Sequence, residues 1–104
     1  MEKTFQEAEF DWDEHNLTKN WTRHRVRFTE AEEVFFDPGL KILPDQSHST
    51  GESRTLALGC TPTGRMLFVV FTVRRGRIRV ISARDMNKSE RKIYHEKIKE
   101  DPSV

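Results

Sequence analysis

Seven arginines lie between Ser53 and Arg84, with no lysine and no acidic residue among them: Arg54, Arg65, Arg74, Arg75, Arg77, Arg79 and Arg84. This stretch carries +7 in a chain whose formal total is +1, so the remainder carries −6. Arginine presents a fixed fork of donors that suits phosphate and carboxylate, and its charge does not titrate near neutral pH. The stretch is also the richest in strand-forming residues, so a rigid surface is expected to hold some of these guanidiniums. A polyanion, either RNA or an acidic protein partner, is the expected counterpart.

Cleavage of RNA by its own 2′-hydroxyl needs a base, an acid for the leaving group, and positive charge at the phosphate. His24, Glu52 and the arginines are candidates for those roles, with His48 as an alternative acid or base. The competing reading of His24, which stands between Arg23 and Arg25, is a helix cap packed against Trp21. Arg77 and Arg79 share a strand face by the period of two, as phosphate contacts or as solvated ion pairs. Arg84 ends an apolar strand just before a helix cap, a position that projects over a sheet edge or cleft. Arg65 follows a glycine turn and either reaches an anion or covers aromatic surface. Glu52 and Arg54 are two apart and share a face if both lie in the strand.

Trp12 and Trp21 either stack on bases or fill the space between helix and sheet. Tyr94 either donates a hydroxyl proton, anchors a partner, or packs beside Ile98. His15 and His95 are expected to face solvent. The histidines have no metal-ligand spacing, and there is no HExxH pattern, P-loop, dinucleotide fingerprint or nucleophile elbow.

The elements that must position these groups follow from caps, turns and periodicity. Phe5 to Trp12 is expected to hold a short strand, with Phe10 and Trp12 facing one way. Asp13 is the expected N-cap of a helix over Glu14 to His24, with Leu17, Trp21 and His24 on its packed side. Thr29 and Glu32 have capping-box spacing for a second helix, whose stripe is Ala31, Val34 and Phe35. Asp37-Pro38-Gly39 ends it.

A short strand over Leu40 to Leu43 and a polar loop over Pro44 to Glu52 come next. Strands over Arg54 to Gly59, Arg65 to Val73 and Arg77 to Ala83 are separated by the turns Pro62-Thr63-Gly64 and Arg74-Arg75-Gly76. The middle strand is apolar on both faces, as if covered on both sides. Asn87 and Glu90 have capping-box spacing for a last helix, and residues 97–104 are expected to fray. The expected fold is α+β: an antiparallel sheet of four to five strands, two N-terminal helices and one C-terminal helix, in a single domain over residues 1–104.

The chain has 104 residues, 35% of them hydrophobic and 34% charged. Seven phenylalanines and two tryptophans argue against general disorder. The single cysteine, Cys60, excludes an internal disulfide and a multi-cysteine zinc site. An acidic N-terminus without an apolar core segment, and an apolar run limited to Met66–Phe71, point to a cytoplasmic protein with no membrane partner.

Several blocks together resemble a known family. The segments FDWDEHN, TRHRVRFTEAEEVFFDP, PDQSHSTGESRTLALG and RIRVISARDMNKSERKIYHE are similar, in order, to the BrnT toxins of bacterial type II toxin–antitoxin pairs. The resemblance covers Phe10 to Glu96. It implies a RelE-like fold and an endoribonuclease that cleaves RNA and inhibits translation; no cofactor is expected and no metal is required, because the arginines can supply the positive charge. It also implies a BrnA-like ribbon-helix-helix antitoxin as partner, with operator DNA reached indirectly through that antitoxin.

By position, the resemblance places the family's basic–histidine pair at Arg23 and His24. It places the loop histidine and the acidic–arginine step at His48, Glu52 and Arg54. The strand block ends at Arg84, and the tyrosine of the last helix falls on Tyr94. A lysine found soon after Trp-Asp in many relatives is Asn16 here, and a glycine after the histidine is Arg25. The resulting catalytic candidates are His24, Glu52, Arg79 and Arg84, and the RNA-binding candidates are Arg23, Arg54, Arg65, Arg77, His48 and Tyr94. The alternatives are a non-catalytic module that grips an acidic antitoxin segment and a transcriptional co-repressor.

Overall fold

Asp13 starts the first helix as expected, with its carboxylate accepting from Asn16 N at 2.7 Å. The computed structural model describes residues 8–44 and 53–96. The elements are α1 (Glu14–His24), α2 (Phe28–Glu33) continued by a 3-10 turn (Val34–Phe36), β1 (Lys41–Pro44), β2 (Thr55–Cys60), β3 (Met66–Arg74), β4 (Arg77–Asp85) and α3 (Lys88–His95). The strands lie in the order β1-β2-β3-β4, and each neighbouring pair is antiparallel. The result is the expected α+β, RelE-like arrangement of one antiparallel sheet, two N-terminal helices and one C-terminal helix. The proposed loop around His48 and Glu52, and the proposed frayed tail, lie outside the described residues.

The turns match their glycines. Gly64 closes the β2–β3 turn at φ +96, and Arg75 and Gly76 both have positive φ between β3 and β4. Two consecutive left-handed residues make the tight hairpin turn whose twist matches that of the strands. Asn87 and Glu90 form the expected reciprocal cap of α3. The α2 cap lies elsewhere than expected: Glu30, not Glu32, reaches back to the N–H of Arg27, and the helix begins at Phe28. Its stripe is as read, with Ala31, Val34 and Phe35 all buried.

The core lies between these helices and one face of the sheet, formed by Ala57, Leu67, Val69, Phe71, Ile78, Val80 and Ala83 with Val26, Ala31, Val34 and Phe35. Phe35 meets Phe71 edge-on at 5.0 Å and Phe10 at 5.6 Å. The 3-10 turn sits directly on β2. A Cβ built on Gly59 would lie 2.8 Å from both the Cβ and the carbonyl oxygen of Val34.

Among the described residues, the expected first strand is represented by one parallel bridge, Phe10 with Ile78; the part before Ala8 lies outside them. Asp11 N donates to Ile78 O at 2.8 Å and Ile78 N donates to Glu9 O at 2.9 Å. Phe10 and Trp12 do both pack against the core.

The packed side of α1 differs from the apolar reading. Its buried residues are Asn16 and Asn20, while Trp21 is 40% exposed. The physical reason is the free edge of β4. Between Val70–Ser82 and Phe71–Val80 the register slips, leaving Ile81 as an extra residue on β4. Asn16 Nδ2 donates to Val80 O at 2.8 Å, Lys19 Nζ donates to Ile81 O, and Ala83 N donates to Asn20 Oδ1 at 3.1 Å. A covered sheet edge needs such partners, and leucines would have left these backbone groups unpaired.

Candidate functional site

The bulge at Ile81 sets which arginines share a surface. In an unbroken strand Arg79 and Arg84 would face opposite ways. The extra residue reverses the alternation, so Arg79 pairs across to Thr72 and Arg84 to Phe68, both on the face turned away from the core. Thr72 and Phe68 are four residues apart, so the two arginines sit about 13 Å apart along the strand. They do not meet in one anion-sized cleft. They line a stripe.

α3 crosses one end of this open face. It is held there by Lys41 Nζ, which donates to Ile93 O at 2.7 Å and to Glu96 O, and by Glu90, which accepts from Arg84 Nη1 at 2.8 Å and Nη2 at 2.9 Å. Arg84 also donates to Asp85 O and stacks over Phe68 at 4.0 Å. Glu90 is subject to opposed influences: burial raises its proton affinity, but the Arg84 and Asn87 hydrogen bonds prevail and hold it below the usual glutamate range.

At the other end, Arg79 Nη2 donates to Asp13 Oδ2 at 2.7 Å, and Nη1 lies 3.8 Å from Asp11. That bond, followed by the one from Asn16 N, holds the Asp13 carboxyl below the usual range. Arg77 makes a looser, exposed contact with Glu9 at 3.5 Å.

Lys19, which the sequence reading passed over, stands at the bulge. Burial pushes its ammonium below the ordinary lysine value, and the positive charges of Arg23, Arg54 and Arg79 push it the same way, against Asp13. Lys19 Nζ and Arg79 thus both stand at the bulge, where α1 meets the open face. Arg23 and Arg54 have no carboxylate partner among the described residues. The signal that could have found Lys19 is its spacing within Asn16, Lys19 and Asn20, a polar triad at i, i+3 and i+4 that a search for apolar stripes discards.

Arg65 is placed differently. Its Nε donates to Asp85 Oδ1 at 2.8 Å, Nη2 to Asp85 Oδ2 at 3.1 Å and to His24 O at 3.4 Å, and Nη1 to Arg25 O at 2.8 Å and Glu30 at 3.0 Å. All five of its N–H groups are engaged, so none is left for a phosphate. The Asp85 hydrogen bond, working against burial, raises the Arg65 proton affinity, and the same bond lowers that of Asp85.

His24 is the last residue of α1 and is exposed. The cap of α1 is Arg25, left-handed at φ 57, and it is Arg25 and Arg27 that lie over Trp21. Asn16 is buried and donates to Val80 O at the sheet edge. Tyr94 donates to Asp37 Oδ2 at 2.6 Å, and Asp37 also accepts from Cys60 N at 2.8 Å and Gly39 N at 3.0 Å. Burial, then the Asp37 bond, holds the Tyr94 proton far above the usual tyrosine range. Tyr94 thus ties α3 to the turn before β1, away from β4. Trp12 donates to Glu32 at 2.8 Å and packs on Phe28.

Among the described residues no three His, Cys, Asp or Glu side chains are grouped to hold a metal ion, and no helix is long and apolar enough to cross a membrane. No individual curated protein matches the chain. One family model does, described as the ribonuclease toxin BrnT of type II toxin–antitoxin systems, over residues 12–90. That span runs from Trp12 through α1, the whole sheet and the first turn of α3. A match over most of the chain, on the fold the resemblance implied, means that the chain belongs to the BrnT family of ribonuclease toxins of type II toxin–antitoxin systems.

Proposed function

We propose that this chain is a metal-independent endoribonuclease that grips RNA along the open face of its sheet. The observation that carries this reading is that Lys19 Nζ reaches Ile81 O at the β4 bulge, beside Arg79 on the face turned away from the core, with Arg23 and Arg54 as neighbouring cations. Their role is to hold the scissile phosphate and to stabilise the charge that builds on it as the 2′-hydroxyl attacks. The P–O5′ bond breaks as the P–O2′ bond forms, giving a cyclic phosphate and a 5′-hydroxyl end. His24 or Glu52 takes the 2′-hydroxyl proton or returns one to the leaving oxygen. Arg84 contacts the RNA farther along the stripe, and His48 and Arg77 extend the contact. Arg65 and Tyr94, RNA-binding candidates by sequence, are reassigned to scaffolding because their donors are committed elsewhere.

Neutralisation follows if a cognate BrnA-like ribbon-helix-helix antitoxin covers the same face in the cytoplasm. Operator DNA is then contacted mainly through the antitoxin. The exposed carboxylate partners of Arg77 and Arg79 favour a second role for this face, since a surface that accepts Glu9 and Asp13 also accepts an acidic antitoxin segment.

The test is RNA cleavage by purified protein, with and without ribosomes, for wild type, K19M, R54A, R79A, R84A and H24A. Loss of cutting in the K19M, R54A and R79A proteins, with folding retained, is expected. Each lost phosphate contact should also lower the slope of log affinity against log salt by about 1. A wild-type protein that cuts RNA under neither condition, yet binds antitoxin, would leave the non-catalytic module in its place.

A further inference from the structure

Trp21 is a large aromatic left 40% exposed on α1. The guanidiniums of Arg25 and Arg27 lie over its ring, at 5.2 and 5.5 Å from the centroid. Trp21 and Arg25 are four apart, so they share one side of the helix end. Lys19 and Arg23 flank the opposite side, two residues to either side of Trp21. The patch is therefore distinct from the cation group at the bulge.

Two features indicate that this patch is built rather than incidental. The turn that presents it is clamped: Arg65 donates to the carbonyls of His24 and Arg25 while its other donors hold Asp85 and Glu30. In addition, Arg25 occupies a left-handed position, φ 57, where glycine would sit with less strain. An arginine kept there places a guanidinium beside the indole, which glycine cannot do. No carboxylate is paired with Arg25 or with the Arg27 guanidinium among the described residues; Glu30 reaches only the Arg27 backbone.

An exposed indole ringed by unneutralised guanidiniums has the chemistry that holds single-stranded nucleic acid: a π-face for a base and fixed positive charge for its phosphates. We propose that Trp21, Arg25 and Arg27 form an RNA-stacking subsite outside the cleavage face, which binds an unpaired base of the substrate and its flanking phosphate. The subsite rests on the ribonuclease reading and adds a second point of RNA contact to it. Its contribution is to affinity, not to the chemical step.

The test uses full-length protein and a short fluorescein-labelled single-stranded oligoribonucleotide followed by anisotropy, with cleavage of the same RNA measured in parallel. W21A and R27A should each weaken binding roughly tenfold, with the cleavage rate at saturating RNA unchanged. W21F should restore most of the affinity, because a phenyl ring still stacks. R25G, which keeps the turn geometry, should fold as wild type and still bind RNA more weakly. Wild-type affinity in W21A and R27A would overturn the subsite while leaving the ribonuclease reading intact. So would variants that lose binding to purified antitoxin but not to RNA, which would assign the patch to the protein partner. A wild-type protein that neither binds nor cuts RNA would instead defeat the underlying reading.

Discussion

Replacing Arg65 with methionine separates a clamp from an RNA contact. The side chain is 26% exposed and joins the His24–Arg25 turn, Glu30 of α2 and Asp85 of β4 to β3. The Asp85 carboxylate is 62% exposed, so that arm is screened and contributes less than ~1 kcal/mol. The Glu30 arm is better shielded, at 23% exposure, and the two carbonyl bonds are charge-assisted. Together these contribute about 2 kcal/mol, since methionine keeps the apolar stem but leaves the acceptors to water. The expected total is roughly 2–3 kcal/mol. For a chain of this size that lowers the melting temperature by about 10–20 °C.

Thermal unfolding followed by circular dichroism measures this directly. RNA binding by R65M, assayed well below its own transition, is expected to match wild type. The reasoning fails if R65M melts with wild type but loses RNA affinity, because its five donors would then be serving the substrate rather than the fold.

Three further outcomes follow from the geometry. Asp85 and Glu90 bind protons less tightly in the folded protein than their ordinary values of 3.8 and 4.5, so the stability they confer is fully present above those values and is lost as pH falls through the lower folded ones. Urea titrations of wild type should therefore lose stability below about pH 4.5, and R65M should show a shallower loss because Asp85 no longer has its partner. Asn16→Ala should cost about 1–3 kcal/mol in urea unfolding, because Val80 O stays buried at the bulge without its donor. Gly59→Ala should cost a similar ~1–3 kcal/mol, since the new methyl meets the Val34 backbone, which cannot swing aside as a flexible side chain would.

Much of the fold was legible because local chemistry agreed with the final structure. Asp13, the Asn87–Glu90 pair, the glycines of both hairpins and the Ala31–Val34–Phe35 stripe each signal an element by itself. What was not legible depends on tertiary partners. α1 docks through asparagines because it covers a strand edge rather than an apolar face, so hydropathy predicts the wrong side. The bulge has no glycine or proline to announce Ile81, yet it decides which arginines share a face. Arginine content signals anionic partners, but residue type alone does not separate partners within the chain from those outside it. The family match brings a ribonuclease toxin, and the roles of individual residues rest on the geometry.

Donor counting orders the arginines by what they can offer a phosphate. A guanidinium has five N–H groups. Those of Arg65 are all committed to Asp85, Glu30 and two carbonyls. Arg84 commits three, to Glu90 and Asp85 O, and its stacking on Phe68 fixes the plane of the remainder. Arg79 commits one, to an Asp13 carboxylate that is half exposed and already competes with water. Arg23 and Arg54 commit none among the described residues. The gradient therefore runs from the clamp at the end of β4 toward the bulge, where Lys19 adds its charge. On the proposed reading, a phosphate arriving at the bulge finds open donors and displaces little. One arriving at Arg84 finds two donors in a preset orientation but must either accept Glu90 as a neighbour or lift the first turn of α3, whose cap uses the same carboxylate. On the proposed RNA-binding reading, grip belongs to the bulge end and alignment to the Arg84 end, a division that follows from one extra residue in β4 and from the acids that each guanidinium meets.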